Sequence, residues 1–313
     1  MKVAGIDCGT NSIRLLIADV EPGKPLVDVV RAMEVVRLGQ GVDTTGKFAE
    51  EALERTFAAT ERYAALCEEH GVQAIKFVAT SATRDAENRE LFIDGIRSRL
   101  GVTPEVVSGD REAQLSFFGA ASVIDISDPV AVVDLGGGST EIVLGSKAEG
   151  VIGAWSMNVG CVRMQERHLQ TDPPTEQQIE AARVDIRAAL DEATKHVDLR
   201  RATRLIGLAG TVTTVTARAL GLPAYDPDAI DGTELTVDQV LEACTWLMTA
   251  TRDERAAEGY MHPGRVDVIA SGALVWSEVV KRCQEDMVSL PVVTTSEHDI
   301  LDGIALWAAG ALS

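Results

Sequence analysis

The chain has 313 residues, of which 46% are hydrophobic and 25% are charged, which is enough apolar material for two packed domains. Its 29 basic and 48 acidic residues give a net charge of −19. That charge disfavours a general nucleic-acid binder and a peripheral membrane protein, because both need a positive surface. The five cysteines are scattered without a Cys-x-x-Cys pair, as is typical of free thiols in a reducing compartment.

A targeting signal is not predicted at the N-terminus, because Asp7 interrupts the first apolar stretch. The longest charge-free apolar run, residues 205–217, is rich in Gly and Thr. It falls short of the roughly 20 residues that a membrane helix needs. We therefore expect a soluble, cytoplasmic protein that binds neither membranes nor nucleic acid.

Hydrophobic periodicity divides the first part of the chain into strands and helices. Gly71 and Gly101 stand where helices are expected to end, since glycine readily takes the left-handed conformation found there. Strands are predicted at residues 3–7, 12–19, 27–38, 74–79 and 102–107, and helices at 48–70, 87–100 and 110–122.

A second domain is predicted from residue 127, just before Pro129. It again opens with three extended runs, and its later elements are mostly helical. The expected fold is α/β, with domains at residues 1–126 and 127–313. As an alternative for the last segment, residues 297–313 could pack on the first domain. Strands are predicted at 130–134, 139–145, 150–157, 204–208 and 288–293, and helices at 175–196, 211–220, 236–250, 263–283 and 297–311.

A loop of the pattern Asp-x-Gly-x-x-Ser occurs twice, at residues 7–12 and 134–139. Each copy follows an apolar strand, precedes another strand and opens a three-strand unit. An internal repeat of this kind is typical of duplicated domains. We therefore predict two related α/β domains that face each other across a cleft.

Each repeated loop carries groups that suit phosphate. Glycine permits positive φ and close approach of the backbone, so the turn amides and the serine hydroxyl can converge on phosphate oxygens. The Asp carboxylate at the strand end suits a hydrated Mg²⁺ that neutralises the phosphate. One copy alone would be interpreted as an ordinary β-hairpin, whereas two copies in matched contexts favour a pair of hairpins that clamp a phosphate chain.

Other nucleotide-binding motifs are incomplete. Residues 41–48 imitate a Walker A loop, but Phe48 replaces the hydroxyl residue that ligates Mg²⁺, so the segment is interpreted as a turn. No Gly-x-Gly-x-x-Gly opens a βα unit, and the dispersed histidines do not support a zinc hydrolase. A third loop, residues 207–214, lies before a helix that Thr211 or Thr213 could cap. The N-terminus of that helix could bind an anion. An ordinary strand-to-helix connection explains the loop sequence equally well.

With these loops, the chain resembles the exopolyphosphatase and guanosine pentaphosphate phosphohydrolase (Ppx/GppA) family of the actin, sugar-kinase and heat-shock ATPase superfamily. The resemblance extends along the whole chain and is to the short, two-domain form. The motifs that carry it are Asp-Cys-Gly-Thr-Asn-Ser at 7–12, Ala-Thr-Ser-Ala-Thr-Arg at 79–84, Ser-Gly-Asp-Arg-Glu-Ala at 108–113, Asp-Leu-Gly-Gly-Gly-Ser-Thr-Glu at 134–141 and Gly-Cys-Val-Arg at 160–163.

The resemblance implies two actin-like (ribonuclease H-like) domains flanking a cleft. It also implies release of terminal orthophosphate from inorganic polyphosphate, with short chains expected as substrates and Mg²⁺, or alternatively Mn²⁺, as the ion. A homodimer is expected, as is guanosine tetraphosphate or pentaphosphate as an inhibitor or substrate.

The resemblance also assigns roles to individual residues. Glu112 is the expected general base that activates water, and Arg84 and Arg163 are expected to bind phosphate. The other expected positions are Asp7, Asp134 and Glu141 for Mg²⁺, and Gly9, Asn11, Ser12, Gly136, Gly137, Gly138 and Ser139 for phosphate oxygens.

Two arginines raise separate questions. Arg14 occupies in the first repeat the place of Glu141 in the second, so a cationic clamp is expected opposite an anionic one, unless Arg14 faces solvent. Arg111 stands where the family often has the first of two glutamates. It either adds charge near the substrate and changes the preferred chain length, or lies on the helix surface.

Three other functions are considered. Hydrolysis of guanosine pentaphosphate would use the same phosphate machinery and stays open. A sugar or acetate kinase is disfavoured by the motifs at 108–113 and 134–141. A non-enzymatic, alarmone-binding regulator is disfavoured because Glu112 and the acidic residues Asp134 and Glu141 are all present.

Overall fold

Two mixed β-sheets, each covered by helices, organise the chain. The computed structural model describes residues 1–21 and 23–312. Contacts divide it into a first unit, Met1–Val123 together with the chain from Asp299 onwards, and a second unit, Ile124–His298. The division falls close to the expected boundary after residue 126, and the terminal helix belongs to the first unit, the alternative that the sequence left open.

The first unit contains a five-stranded sheet of order β3-β2-β1-β4-β5. Strands β3, β2 and β1 are antiparallel, whereas β1, β4 and β5 are parallel to one another. The strands are β1 (Lys2–Cys8), β2 (Ser12–Asp19), β3 (Val27–Val35), β4 (Ala74–Ala79) and β5 (Glu105–Val106), and the helices are α1 (Val42–Thr45), α2 (Glu50–Glu69), α3 (Ser81–Asp85), α4 (Arg89–Leu100), α5 (Gly109–Ala121) and the terminal α13 (Ile300–Ala308).

Both faces of this sheet are covered by helices. Alternate residues of its central strands point to opposite faces, so neighbouring residues belong to different cores. Leu15 belongs to a core shared with α2 and α4, and the next residue, Leu16, packs with α13. Helices α5 and α13 approach each other closely. A side chain at Gly119 would overlap the carbonyl of Asp299, and one at Gly303 would overlap the carbonyl of Leu115.

The second unit repeats the same strand order and adds an edge strand, giving β10-β11-β9-β6-β7-β8. Strands β6, β9 and β11 are parallel, and β6, β7 and β8 are antiparallel. Its elements are β6 (Val130–Leu135), β7 (Thr140–Ser146), β8 (Gly150–Met157), α6 (Cys161–Arg167), α7 (Glu176–His196), a 3₁₀ turn (Leu199–Arg201), β9 (Leu205–Leu208), α8 (Ala209–Leu220), α9 (Pro227–Ile230), β10 (Glu234–Thr236), α10 (Val237–Thr249), α11 (Arg252–Ala257), α12 (Ile269–Asp286) and β11 (Val292–Thr295).

The internal repeat is visible in the register of the strands. Asp7 is paired with Arg14 across β1 and β2, and Asp134 is paired with Glu141 across β6 and β7. The two mixed sheets with matching strand order confirm the predicted α/β class.

Several elements differ from their predicted bounds for local reasons. The strand predicted at 102–107 shrinks to β5, because Pro104 lacks the amide that a strand donates. The helix predicted from 263 begins at Ile269, after turns in which the Arg265 amide donates to His262 and the Val268 amide donates to Arg265. None of the helices in residues 1–21 and 23–312 is long and apolar enough to span a bilayer.

Gly119→Ala is expected to lower the free energy of unfolding by about 1–3 kcal/mol, because the new methyl group has no space beside α13. The helix propensity of alanine acts in the opposite direction by roughly 1 kcal/mol. Chemical denaturation followed by circular dichroism measures the change. Gln114→Ala on the same helix is the control, with an expected change within about 0.5 kcal/mol. Equal or greater stability of Gly119→Ala would contradict the close packing.

Candidate active site

The parallel strands of the first unit bring three loops to one edge of the sheet. Strands β1, β4 and β5 are adjacent and parallel, so their carboxyl ends lie side by side. The segments that leave these ends are the loop 9–11, the turn into α3 and the turn into α5. Ligands of α/β sheets bind at this edge. The edge therefore holds the first repeated loop, Arg84 and Glu112.

The first repeated loop is a tight turn braced by its neighbours. The Gly9 amide donates to the Ser12 carbonyl at 3.0 Å, and the Asn11 carbonyl accepts the Arg37 amide at 2.8 Å. These bonds keep Gly9, Asn11 and Ser12 at the carboxyl end of β1, where they were expected. The hydroxyl of Thr10 in the same loop is buried without a hydrogen-bond partner. Thr10 is a polar group that the sequence reasoning missed.

Asp7 is bound by an arginine from the neighbouring strand. Arg14 donates from Nε and Nη2 to Asp7 Oδ2 at 3.0 and 2.7 Å, and from Nη1 to Asp299. Arg14 therefore turns toward the site rather than facing solvent. Burial raises the pKa of Asp7 above its ordinary value, and the Arg14 guanidinium opposes that increase.

Glu112 is a buried carboxylate in the first turn of α5. It is 8% exposed, and Ser108 caps the helix that carries it. Arg84 Nη1 donates to Glu112 Oε2 at 2.5 Å and to the Val107 carbonyl at 3.1 Å. The residue expected to bind phosphate and the residue expected to be the base are therefore in direct contact.

The pKa of Glu112 is raised, chiefly because burial disfavours the charged form. Arg84 and a hydrogen bond from Thr80 lower it again, and the charge of Asp7 raises it further. A raised pKa brings a carboxylate closer to the range in which it accepts a proton efficiently near neutral pH. The environment of Glu112 thus suits a general base.

Arg111 does not share this environment. Its guanidinium lies 4.4 Å from the ring centre of Trp307 on α13, and Nη1 donates to Gln114 at 3.4 Å. Although Arg111 is adjacent to Glu112 in the sequence, its side chain therefore takes part in the packing of α5 against α13. This placement favours the helix-surface interpretation of Arg111 over a role in chain-length preference.

The second repeated loop forms the same turn as the first, and it is also held by hydrogen bonds from the start of α6. The Gly136 amide donates to the Ser139 carbonyl at 3.0 Å, as Gly9 does to Ser12. The carbonyl of Gly137 accepts the amides of Val162 and Arg163 at the start of α6, at 2.9 and 3.1 Å.

Arg163 also holds this loop with its side chain. It is 9% exposed, and its Nε donates to the Gly138 carbonyl at 2.7 Å. Gly160 lies so close to Gly137 that any side chain there would overlap its backbone. The four expected phosphate contacts of this loop, Gly136, Gly137, Gly138 and Ser139, thus sit on a backbone fixed by α6.

Asp134 and Glu141 form a pair of buried carboxylates. They are directly opposite on β6 and β7, so their side chains lie on the same face, and they are 6% and 1% exposed. Ser156 on β8 donates to Glu141 Oε1 at 2.6 Å. Two like charges in a buried place favour binding of a cation between them.

Two carboxylates suit a magnesium ion that also binds waters and substrate phosphates. They are too few for a metal ion that is held by protein ligands alone. Across residues 1–21 and 23–312, no three His, Cys, Asp or Glu side chains cluster closely enough to hold a metal ion. Mg²⁺ commonly uses one or two carboxylates together with waters and substrate phosphates. Asp134 and Glu141 supply that number.

The third loop differs from its prediction. Helix α8 begins at Ala209 with Leu208 as its N-cap and no side-chain cap. The prediction that Thr211 or Thr213 caps this helix is therefore wrong, because the helix starts two residues earlier than the pattern indicated. Thr213 instead accepts a hydrogen bond from Tyr225 at 2.8 Å.

A match to a family model adds to this geometry. The model of the Ppx/GppA phosphatase family matches residues 16–306. The chain belongs to this family.

Individual relatives agree with the Ppx/GppA assignment. The chain is 48% identical to exopolyphosphatase 2 of Mycobacterium tuberculosis, over 99% of each chain. A crystal structure of an exopolyphosphatase-like protein shows 48% identity, a TM-score of 0.95 and coverage of 100% of both chains. An exopolyphosphatase from Cytophaga hutchinsonii is 27% identical, with a TM-score of 0.87 and coverage of 99% and 98%.

Glu112→Gln is expected to raise the thermal stability at neutral pH. The folded-state pKa of Glu112 lies above its unfolded value, so stability is lost as pH rises and the buried carboxyl ionises. Glutamine avoids this cost and still offers Arg84 an acceptor. Melting temperatures should therefore separate at pH 7–8 and converge in acid. The exposed Asp110→Asn in the same turn is the control. A less stable Glu112→Gln at pH 7 would refute this account.

Proposed function

We propose that the chain is an exopolyphosphatase that hydrolyses the terminal phosphoanhydride bond of inorganic polyphosphate and releases orthophosphate. The observation that carries the proposal is the buried Glu112 bound to Arg84 beside the loop 9–12, in a chain that matches exopolyphosphatase 2 over 99% of its length. A base, a phosphate-binding cation and a glycine turn are the groups that this hydrolysis needs.

Glu112 acts as the general base in this proposal. It removes a proton from a water as the water attacks the terminal phosphorus in line, and the bond to the bridging oxygen breaks. Burial keeps the carboxylate poorly solvated and hence basic. The remaining polyphosphate leaves with the electron pair of the bridging oxygen.

Arg84 and the first repeated loop are the phosphate-binding groups of the first unit, and the second repeated loop is the phosphate-binding group of the second unit. The Arg84 guanidinium offers paired donors that match phosphate oxygens. In the first loop the positions are Gly9, Asn11 and Ser12, and in the second they are Gly136–Ser139. The amides of Gly9 and Gly136 already donate within their own turns, so they are not the phosphate donors. Arg163 supports the second loop through Gly138 and brings positive charge to it.

Asp134 and Glu141 are the Mg²⁺ ligands in this proposal. The ion, when bound, neutralises phosphate charge and stabilises the leaving oxygen. Asp7 was expected to join them, but its Oδ2 already accepts two hydrogen bonds from Arg14. We therefore assign to Asp7 orientation of the attacking water in place of the Mg²⁺ binding that was expected of it.

The finer expectations stay predictions: a preference for short chains, a homodimer, the shared cleft, Mn²⁺ in place of Mg²⁺, and guanosine tetraphosphate as inhibitor. Hydrolysis of guanosine pentaphosphate is the competing activity. Phosphate release from short polyphosphate, long polyphosphate, guanosine pentaphosphate and ATP, each with and without Mg²⁺, decides between the substrates. Higher kcat/KM for guanosine pentaphosphate than for every polyphosphate would overturn the proposed substrate.

Glu112→Gln is expected to reduce kcat by about 10²–10⁴, because an amide cannot accept the proton of the attacking water. The Kd for short polyphosphate should change little, since the amide keeps the shape of the side chain. Phosphate-release kinetics and isothermal calorimetry measure the two quantities. Asp110→Asn serves as the control and should retain turnover. Near-normal kcat in Glu112→Gln would exclude Glu112 as the base.

Asp134→Asn and Glu141→Gln are each expected to raise the Mg²⁺ concentration for half-maximal activity by about tenfold or more, because each removes one of two anionic ligands. Electron paramagnetic resonance of Mn²⁺ should show weaker binding of the ion to both variants. Asp128→Asn, at an exposed carboxylate of the second unit, provides the comparison. Unchanged Mn²⁺ binding in both variants would place the ion elsewhere.

A further inference from the structure

Three polar side chains form a row across the second sheet, one from each of the strands β6, β7 and β8. The strand register pairs Asp134 with Glu141, and Glu141 with Ser156. Residues that are directly paired point to the same face of a sheet. The Ser156 hydroxyl donates to Glu141 Oε1 at 2.6 Å. A neutral donor on β8 therefore flanks Glu141 on the side away from Asp134.

The internal repeat shows that this hydroxyl is not a requirement of the backbone. In the first unit the equivalent row is Asp7, Arg14 and Met33, because Arg14 is paired with Asp7 on β1 and with Met33 on β3. A thioether does not donate a hydrogen bond. The third strand thus supplies a donor in the unit whose second strand carries a carboxylate, and an apolar side chain in the unit whose second strand carries an arginine.

The polar row in the second sheet is bordered by an apolar row. Two residues further along each strand, on the same face, the register aligns Val132, Val143 and Ala154. Their side chains have no polar atoms, whereas ionised carboxylates only accept hydrogen bonds. Ser156 is therefore the member of the polar row that donates.

The orientation of Glu141 matters because two carboxylates on paired strands repel each other. Like charges directly opposite in a sheet are unfavourable, and rotation of either side chain away from the other relieves the repulsion. A hydrogen bond to one oxygen of Glu141 opposes that rotation. A hydroxyl does so without a positive charge, whereas an arginine would neutralise the carboxylate, as Arg14 does for Asp7.

We propose that Ser156 is a positioning residue whose hydroxyl holds Glu141 in the orientation that binds Mg²⁺ together with Asp134. The inference rests on the proposed function, since it takes Asp134 and Glu141 as the metal ligands. It adds a residue that acts through Glu141 and contacts neither the ion nor the substrate.

The test is the binding of Mn²⁺ to the chain without substrate, measured by electron paramagnetic resonance. Ser156→Ala should raise the Kd for Mn²⁺ about tenfold, as is typical when a hydrogen bond to a metal ligand is removed. Ser156→Thr, which keeps the hydroxyl, should stay within about threefold of the wild type. In the Glu141→Gln background, Ser156→Ala should change the Kd by less than about twofold, because the carboxylate through which it acts is gone.

The Mg²⁺ dependence of activity gives a second measurement. Ser156→Ala should raise the Mg²⁺ concentration for half-maximal phosphate release from short polyphosphate by about tenfold. The kcat at saturating Mg²⁺ should stay within about threefold of the wild type, because a filled ion site again holds Glu141 in place.

Ser277→Ala is the matched control. Ser277 is buried in α12 of the same unit, and its hydroxyl donates to the Leu274 carbonyl at 2.8 Å. The variant therefore loses a hydroxyl hydrogen bond that does not involve a carboxylate, and its Kd for Mn²⁺ should match that of the wild type. Melting temperatures of all variants separate binding from folding, and S156T covers the case in which S156A is poorly folded.

Two results would overturn the inference. An unchanged Kd for Mn²⁺ in a folded Ser156→Ala would show that the hydroxyl is dispensable. An equal rise of the Kd in the wild-type and Glu141→Gln backgrounds would show that Ser156 does not act through Glu141.

Failure of the proposed function is distinguishable from these results. A wild-type chain that binds Mn²⁺ but hydrolyses guanosine pentaphosphate in preference to polyphosphate would refute the proposed substrate, and the Mn²⁺ measurement would still test Ser156. A wild-type chain that binds no Mn²⁺, or unchanged binding in both Asp134→Asn and Glu141→Gln, would overturn the metal ligands and the role of Ser156 together.

Discussion

The antiparallel pairing of the first two strands of each unit determines what the repeated loops can do. Pairing places the loop aspartate directly beside one residue of the next strand. In the first unit that residue is Arg14, which neutralises Asp7 within the protein. In the second it is Glu141, which doubles the negative charge beside Asp134. One backbone design therefore places an arginine beside the loop aspartate in the first unit and a second carboxylate beside it in the second.

The site in the first unit shows a conflict between stability and reactivity. Glu112 is buried, so its ionised form is costly, yet only that form can accept a proton. Arg84 reduces the cost but also reduces basicity, since a nearby cation stabilises the carboxylate. If Arg84 left Glu112 when phosphate binds, the carboxylate would become more basic, at the cost of a less stable ionised form.

Much of this arrangement could be predicted from the sequence, because it depends on local patterns. The strand at residues 74–79 and the start of the strand at 12 follow from apolar runs bounded by the loops. The repeated motif predicted that Arg14 and Glu141 are equivalent, and the strand register confirms it.

The short helices and the side-chain partners could not be predicted. Helices α3 and α6 have five and seven residues, too few for a 3.6-residue period to be recognised. The contact of Arg84 with Glu112 and that of Arg111 with Trp307 depend on which strand ends are adjacent, and spacing along the chain does not encode this.

The close packing of Gly119 and Gly303 has a consequence for biosynthesis. Helix α5 carries Glu112 at its start, and its packing partner α13 follows the second unit in the sequence. A ribosome therefore makes the whole second unit before the first can acquire its final layer. Until then the apolar face of α5 that packs against α13 is uncovered, and the nascent first half carries Glu112 on a helix that lacks its packing partner.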